Sequence, residues 1–364
     1  MDIIDSDNIN QDIESNSDSK RKLASIQVVD KIERHADADS LDIATILGWQ
    51  TITKIGEVIL GERVIYCEID SMLPYKAEWL PIAVKDRIAK ENVAAPFRIR
   101  TIKLRGKVSQ GLIIPLNNFL PLYLRSLEVG HDVTSILGIT KYDPPPLSEN
   151  CALFQSRRAG SFPSRLLNKT DERRIQSYPD LLTDLNGKPY NITVKMDGTS
   201  VTYLIDPQSQ NFLVCSRNMV RERPINPSLC PYWCMAVKYD IEAKLKLIPH
   251  IAIQGEICGP NIQKNLAKLD SFELFVYNLI DINEKRRLPL YTMLSLCSST
   301  LELQTVPLEE RGPAFGYTNI KQLLDKAKGR YLGTKNAREG LVIRSIDQTI
   351  SFKVINNEYL LKHG

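Results

Sequence analysis

The sequence predicts an α+β protein of two domains, a small N-terminal β-barrel followed by a larger domain of antiparallel sheets with flanking helices. Three observations carry this. Short apolar runs separated by turn residues fill the stretch from Leu23 to Leu104, strand-like runs alternate with helical interludes beyond residue 165, and 364 residues exceed one typical core.

The chain opens with residues 1–21, rich in Asp, Asn and Ser, an acidic tail too polar to offset the entropy of ordering. The barrel is expected over 22–140. Its strands are read at Ala24 to Val29, Leu41 to Ile46, Gln50 to Ile55, Val64 to Ile69 and Phe97 to Leu104, with Gly56, Gly61 and Gly106 at breaks. An OB-like barrel is an economical way to close strands of this spacing. Arg98, Arg100 and Lys103 or Arg105 alternate with apolar residues, which suits either a track along backbone phosphates or an ordinary solvated strand face.

Residues 141–164, with Pro144, Pro145, Pro146 and an Arg-Arg-Ala-Gly-Ser run, read as a linker. The second domain is expected over 165–364, with helices over Cys234 to Leu247 and Ile320 to Lys328.

Lys and Arg number 47 against 43 acids. Six of those acids lie in the first nineteen residues, so the remainder carries about +10, a balance that suits an anionic partner and is also common without one. Seven scattered cysteines, Cys151 among them, argue for reduced thiols in a soluble intracellular protein. Cys230 and Cys234 lack a second ligand pair for zinc. No apolar run reaches membrane-spanning length.

The chemistry concentrates in the second domain. Ile192 to Asp197 alternates so that Thr193, Lys195 and Asp197 share one side, and Gly198 permits a sharp turn. A lysine attacks only as the free amine, so its pKa, ordinarily about 10.4, has to be lowered by burial, cations or a metal. Phosphoryl chemistry also needs carboxylates to hold that metal. Ile251 to Glu256 is a second apolar strand ending in Gly-Glu. Phe272 to Ile280 offers Phe275 or Tyr277 as a stacking plate, and Glu339 to Arg344 is a fourth strand. Ser351 to Ile355 sets Lys353 opposite Phe352 and Val354.

Taken in order, Lys195-Met-Asp-Gly198, Gly255-Glu256, Phe275-Val-Tyr-Asn278, Glu339-Gly340 and Phe352-Lys353 resemble the motif series of covalent nucleotidyltransferases. That superfamily comprises ATP-dependent DNA and RNA ligases and messenger-RNA capping enzymes, whose catalytic domain is ATP-grasp-like. A narrower resemblance, from about Lys22 to the C-terminus, is to RNA ligase family 5. It rests on the barrel segment, Cys215-Ser-Arg-Asn218, Gly255 to Gln263 and Ser351 to Asn357. Members place the OB domain before the catalytic domain, whereas DNA ligases and capping enzymes carry it after the last lysine motif. Only eleven residues follow Lys353 here.

The resemblance implies an RNA ligase that uses ATP with Mg2+ or Mn2+ and seals 3'-hydroxyl and 5'-phosphate ends. The partner would be RNA, as a nicked duplex or an RNA/DNA hybrid. It makes Lys195 the AMP acceptor, with Asp197, Glu256 and Glu339 as metal or ribose ligands and Gly198 at the nucleotide. Tyr277 would stack on adenine, Arg217 and Arg174 would meet phosphates, and Lys353 would contact the AMP phosphate. Ile355 stands where many members have a second lysine, with Arg344 or Lys362 as candidate replacements, and Val194 where related ligases are often acidic. A DNA ligase, a capping-type transferase and a non-catalytic RNA-binding relative are the competing readings.

Overall fold

A computed structural model describes residues 21–75, 78–81, 84–86, 89, 96–116, 122–143, 156–169 and 171–364. The acidic tail up to residue 20, Cys151 and residues 144–155 of the expected linker lie outside the described residues. The architecture is α+β, as the sequence predicts.

Strands in the first 141 residues are short. They run β1 (Ala24–Val28), β2 (Lys31–Arg34), β3 (Leu41–Ile46), β4 (Trp49–Lys54), β5 (Arg63–Cys67), β6 (Ser71–Leu73), β7 (Phe97–Arg98), β8 (Ile102–Leu104), β9 (Lys107–Ser109), β10 (Leu112–Pro115) and β11 (Thr140–Lys141). The chain divides into two compact units, and the division runs through these strands. One unit holds Met1–Val28, Arg63–Ile99 and Leu112–Tyr142; the other holds Val29–Glu62, Arg100–Gly111 and Asp143–Gly364.

In the first unit, β1 and β10 flank β5 and bury Ile26, Val64, Ile65 and Tyr66, while β11, β6 and β7 form a second small sheet. The expected continuous strand from Phe97 to Leu104 is broken into β7 and β8. Arg98 bonds the Asp70 carboxylate at 2.7 Å and lies 3.6 Å from the centre of the Tyr142 ring, and Arg105 sits in a turn at φ 42°. Arg98 and Arg100 therefore do not form a shared cationic face on one strand.

In the second unit, β2-β3-β4 is an antiparallel meander and β8 pairs with β9. Thr51 Oγ1 donates to the Gln110 carbonyl at 2.5 Å, and the Ile52 amide bonds Ser109 Oγ at 3.0 Å, joining the two pieces. The remaining strands are β12 (Arg158–Ser161), β13 (Arg173–Arg174), β14 (Tyr190–Lys195), β15 (Thr199–Ile205), β16 (Phe212–Ser216), β17 (Met219–Arg221), β18 (Ile251–Cys258), β19 (Glu273–Asp281), β20 (Arg286–Arg287), β21 (Leu308–Gly312), β22 (Gly340–Ser345) and β23 (Ser351–Ile355). They build two sheets, β12-β17-β16-β15-β18-β19-β20 and β13-β23-β22-β14-β21, antiparallel except where β13 lies parallel to β23.

Helices α1 (Leu181–Leu185), α2 (Pro231–Lys238), α3 (Ile241–Leu247), α4 (Leu290–Leu296), α5 (Ile320–Ala327) and α6 (Asn357–His363) flank the sheets. The helix expected over Cys234 to Leu247 is two helices, because Asp240 adopts a left-handed conformation between α2 and α3. Tyr232, Trp233, Met235, Ile241 and Leu245 from this pair pack on Val201, Tyr203, Ile253 and Val276 of the larger sheet. Leu323 and Ala327 of α5 cover Ile192, Leu341, Ile343, Phe352 and Val354 of the smaller one. Asn319 caps α5 by accepting from the Gln322 amide at 3.0 Å, one reason the helix begins where it does.

Candidate active site

The last residue of β14 and the first of β15 belong to different sheets, so the Met196-Asp197-Gly198 turn lies at the seam between them. A side chain on Gly198 has no room: a Cβ there would lie 2.3 Å from the Ile257 carbonyl oxygen and 2.7 Å from Cys258 Sγ. Backbone cannot swing aside as a flexible side chain can. The absence of Cβ is what lets β18 approach this turn, and Gly198 N–H bonds Glu256 Oε1 at 3.2 Å.

Lys195 pairs with Gly340 in the ladder between β14 and β22, which brings the preceding Glu339 alongside. Lys195 Nζ donates to Glu339 Oε2 at 2.8 Å. Asp197 accepts from the Tyr359 hydroxyl of α6 at 3.0 Å. Thus Lys195, Asp197, Gly198, Glu256 and Glu339 come together from three stretches of chain.

Their charges act on one another. Burial favours the neutral amine at Lys195, but Glu339, Glu256 and Asp197 outweigh it and raise the ammonium above the ordinary lysine range. Burial alone therefore does not lower the amine; the three carboxylates leave that to an added cation. Burial, with repulsion from Glu339, lifts Asp197 to about 6. Burial likewise pushes Glu256 to about 8, with Glu339 and Asp197 adding to the rise and Lys195 opposing it. Acids held this far above their usual range mark a place where another cation is favoured. Among the described residues, however, no three His, Cys, Asp or Glu side chains converge as a preformed metal cage.

A second cluster adjoins the first along β23. Phe352 and Val354 face the core and Lys353 the other side, in register with Arg174 of β13. Lys353 Nζ and Arg217 Nη2 both bond the Asp171 carboxylate, at 3.2 and 2.9 Å. Burial lowers Lys353 to about 8, against the pull of Asp171 and with help from Lys195 and Arg174. Arg174 also lies 5.4 Å from the ring centre of Trp49 on β4. Lys353 and Arg217 are therefore gathered around one carboxylate, Asp171, which no sequence motif marks, with Arg174 alongside Lys353. The adjacent acid pair Asp171-Glu172 before Arg173-Arg174 was the available signal.

Tyr277 is the extra residue of a β-bulge, since Gln254 pairs with Asn278 and Gly255 with Val276. A bulge re-aims its side chain, and the half-buried Tyr277 reaches Ser200 Oγ at 3.0 Å. Phe275, the alternative plate, is buried beside Met196 and Tyr331. Arg344 does not replace the missing second lysine. It is buried, donating to the Tyr277 carbonyl at 2.7 Å, Asn278 Oδ1 at 2.8 Å and Glu172 Oε1 at 2.7 Å. Lys362 is exposed on α6, and Ile355 is buried. Two tyrosines also carry no sequence motif, Tyr359 on Asp197 and Tyr331, whose hydroxyl donates to the Lys195 carbonyl.

A lysine ringed by carboxylates at the seam of two antiparallel sheets, with a second lysine and two arginines beside it, defines a nucleotidyltransferase of the ligase type. Comparison with known families matches an OB-fold domain at residues 23–116 and RNA ligase at residues 188–356. Solved structures of an RNA ligase from Naegleria gruberi superpose closely. One, with AMP and manganese, is 31% identical with a TM-score of 0.83, covering 94% of this chain and 99% of that one. Another, with pyrophosphate, is 32% identical with a TM-score of 0.82 and the same coverage. A third holds ATP and manganese at 31% identity and a TM-score of 0.83. Curated protein sequences give no match. The chain belongs to the RNA ligase family, with an N-terminal OB fold ahead of the ligase domain, and it is an RNA ligase.

Proposed function

We propose that this ligase joins 3'-hydroxyl to 5'-phosphate RNA ends, with ATP as its energy source, through a lysyl-AMP on Lys195. The observation that carries this is the Lys195–Glu339 pair inside a cluster of raised acids. Lys195 Nζ attacks the α-phosphorus of ATP, the bond to the leaving pyrophosphate oxygen breaks, and the amine sheds a proton through its hydrogen bond to Glu339. AMP then passes from Lys195 to a 5'-phosphate of RNA, and a 3'-hydroxyl displaces it to form the phosphodiester.

The donor set suits Mg2+ or Mn2+, both hard ions with a preference for oxygen ligands. Asp197, Glu256 and Glu339 would hold it, the remaining ligands coming from phosphate or water, and its charge would cancel the negative field that keeps Lys195 protonated. Lys353, Arg217 and Arg174 bind phosphates, for which Asp171 is the competing anion. Tyr277 offers its ring to adenine, and Gly198 leaves the backbone open to the nucleotide. The Naegleria structures with ATP or AMP and manganese, and with pyrophosphate, support this assignment.

Residues 22–140 serve as the OB domain that grips RNA, 141–164 as the linker and 165–364 as the nucleotidyltransferase domain. A nicked duplex or an RNA/DNA hybrid fits such a two-domain grip. An intracellular setting agrees with the six described cysteines being unpaired. No helix among the described residues is long and apolar enough to cross a membrane. Incubation with α-labelled ATP and manganese is expected to label the protein covalently, and Lys195→Ala to abolish the label. A Lys195→Ala protein that still labels would remove this reading.

A further inference from the structure

The loop from Arg330 to Ala337 takes no part in the chemistry above, yet it is fastened to it. The Tyr331 hydroxyl donates to the Lys195 carbonyl at 3.1 Å and accepts from the Glu339 amide at 3.2 Å. The loop closes on itself through a bridge between Arg330 and Ala337 and bonds from the Tyr331 amide to the Asn336 carbonyl at 3.1 Å and from the Thr334 amide to the Tyr331 carbonyl at 3.0 Å. Asn336 Nδ2 adds an anchor to the Leu266 carbonyl at 2.8 Å. Behind it, buried Arg338 bonds the carbonyls of Ala327, Lys326 and Lys328 and pairs with Glu309 at 2.7 Å. This is a braced loop rather than a slack one.

On this brace Leu332, the neighbour of Tyr331, is 101% exposed. A single exposed aliphatic residue needs no explanation in general. Two features set this one apart, its attachment to the nucleophile's strand and the charge around it. Between Asp325 and Glu339 the chain has five basic residues and no acid. Lys326, Lys328 and Arg338 are paired with Glu310, Asp325 and Glu309. Arg330 and Lys335 have no carboxylate partner among the described residues; Arg330 instead donates to the Lys335 carbonyl.

We propose that this loop is a contact for the end of an RNA strand, with Leu332 packing on the face of the base next to the break and Arg330 and Lys335 along the flanking phosphates. The proposal rests on the RNA-sealing reading above. An aliphatic side chain against a base face is sequence-tolerant, because every base presents such a face, and apolar wedges of this kind serve where strands are unstacked. A polyanion accounts for the two unpaired cations, whereas docking a protein calls for a wider apolar patch than one leucine.

The test uses the full-length enzyme and a nicked RNA duplex carrying a preformed 5'-adenylate, so that sealing is followed apart from reaction with ATP. Leu332→Ser is expected to slow single-turnover sealing on the order of tenfold, while lysyl-AMP formation, which involves no RNA, keeps its wild-type rate. Leu332→Phe should restore sealing, since it restores an apolar face. Lys335→Ser should weaken RNA binding and flatten the slope of log affinity against log salt by about one. The proposal is overturned if Leu332→Ser seals at the wild-type rate, if Leu332→Phe is as slow as Leu332→Ser, or if Leu332→Ser loses adenylylation equally. A wild-type enzyme that forms no lysyl-AMP would instead remove the functional reading beneath it.

Discussion

Glu339 accepts a 2.8 Å hydrogen bond from Lys195, and the same carboxylate raises the proton affinity of Asp197 and Glu256. One acid thus holds the Lys195 amine charged while its negative charge repels the two neighbouring carboxylates. The raised acids leave the cluster short of positive charge.

The acids make stability depend on pH in an unusual direction. Glu256 moves from 4.5 to about 8 on folding, chiefly through burial, so the folded chain binds more protons than the unfolded one between those values. Its stabilisation is full below about pH 4.5 and is lost as pH rises through about 8. In chelator, Glu256→Gln is expected to raise the melting temperature at pH 9, by the equivalent of roughly 2 kcal/mol, to change little at pH 5, and to abolish adenylylation. Added manganese should stabilise wild type more at pH 8.5 than at pH 6, and thermal melts across pH check both. A variant less stable than wild type at pH 9 would contradict the cost assigned to burying the charged carboxylate.

Arg344 is expected to be the costliest single loss outside the acid cluster. Burial would raise Glu172, yet Arg344 and Arg287, with a bond from Ser351, bring it down to about 2. Arg344→Met leaves that carboxylate buried beside Arg287 alone, at a cost of about 3–5 kcal/mol. It also takes the donor from the Tyr277 carbonyl at the bulge, so the KM for ATP should rise. The double variant Glu172→Gln/Arg344→Met should be more stable than the sum of the singles by about 1–3 kcal/mol, as urea melts would show. The sign of the acid limb follows: Glu172 stabilises above its unfolded pKa of 4.5, and that contribution is lost as pH falls toward 2. Arg344→Met should flatten that limb.

Legibility in the sequence followed how local each interaction is. Lys195, Asp197 and Gly198 were readable because one strand end and one turn place all three. Glu256 and Glu339 come from remote strands but carry glycine neighbours that mark close approach. Asp171, Tyr331 and Tyr359 were not readable, since only tertiary placement brings Asp171 to Lys353, Tyr331 to the Lys195 carbonyl and Tyr359 to Asp197. Likewise Arg344 looked like a free cation at a strand end and is in fact a buried clamp, a distinction made by Glu172, 172 residues away. The break at Asp240 arose from a left-handed residue, which does not alter hydrophobic periodicity.

The turn joining β3 to β4 offers a sharp test of how the meander supports the phosphate cluster. Gly48 N–H bonds the Gln176 carbonyl at 3.0 Å, and a Cβ at Gly48 would lie 2.2 Å from Ile320 Cδ1 and 2.9 Å from Gln176 Cα. The isoleucine methyl can rotate away, but the Gln176 backbone cannot, because residues 175–177 form a short 3-10 turn directly after Arg174. Alanine should therefore already press on the Gln176 backbone, beyond the isoleucine rotation. The branched Gly48→Val should force Gln176 away and move Arg174 relative to Lys353 and Trp49. The expected outcome is a drop in adenylylation on the order of tenfold for Gly48→Val, several-fold less for Gly48→Ala, with the KM for ATP rising more than kcat falls if Arg174 binds phosphates in the ground state. Unchanged ATP kinetics in a folded Gly48→Val protein would show that the meander does not position Arg174.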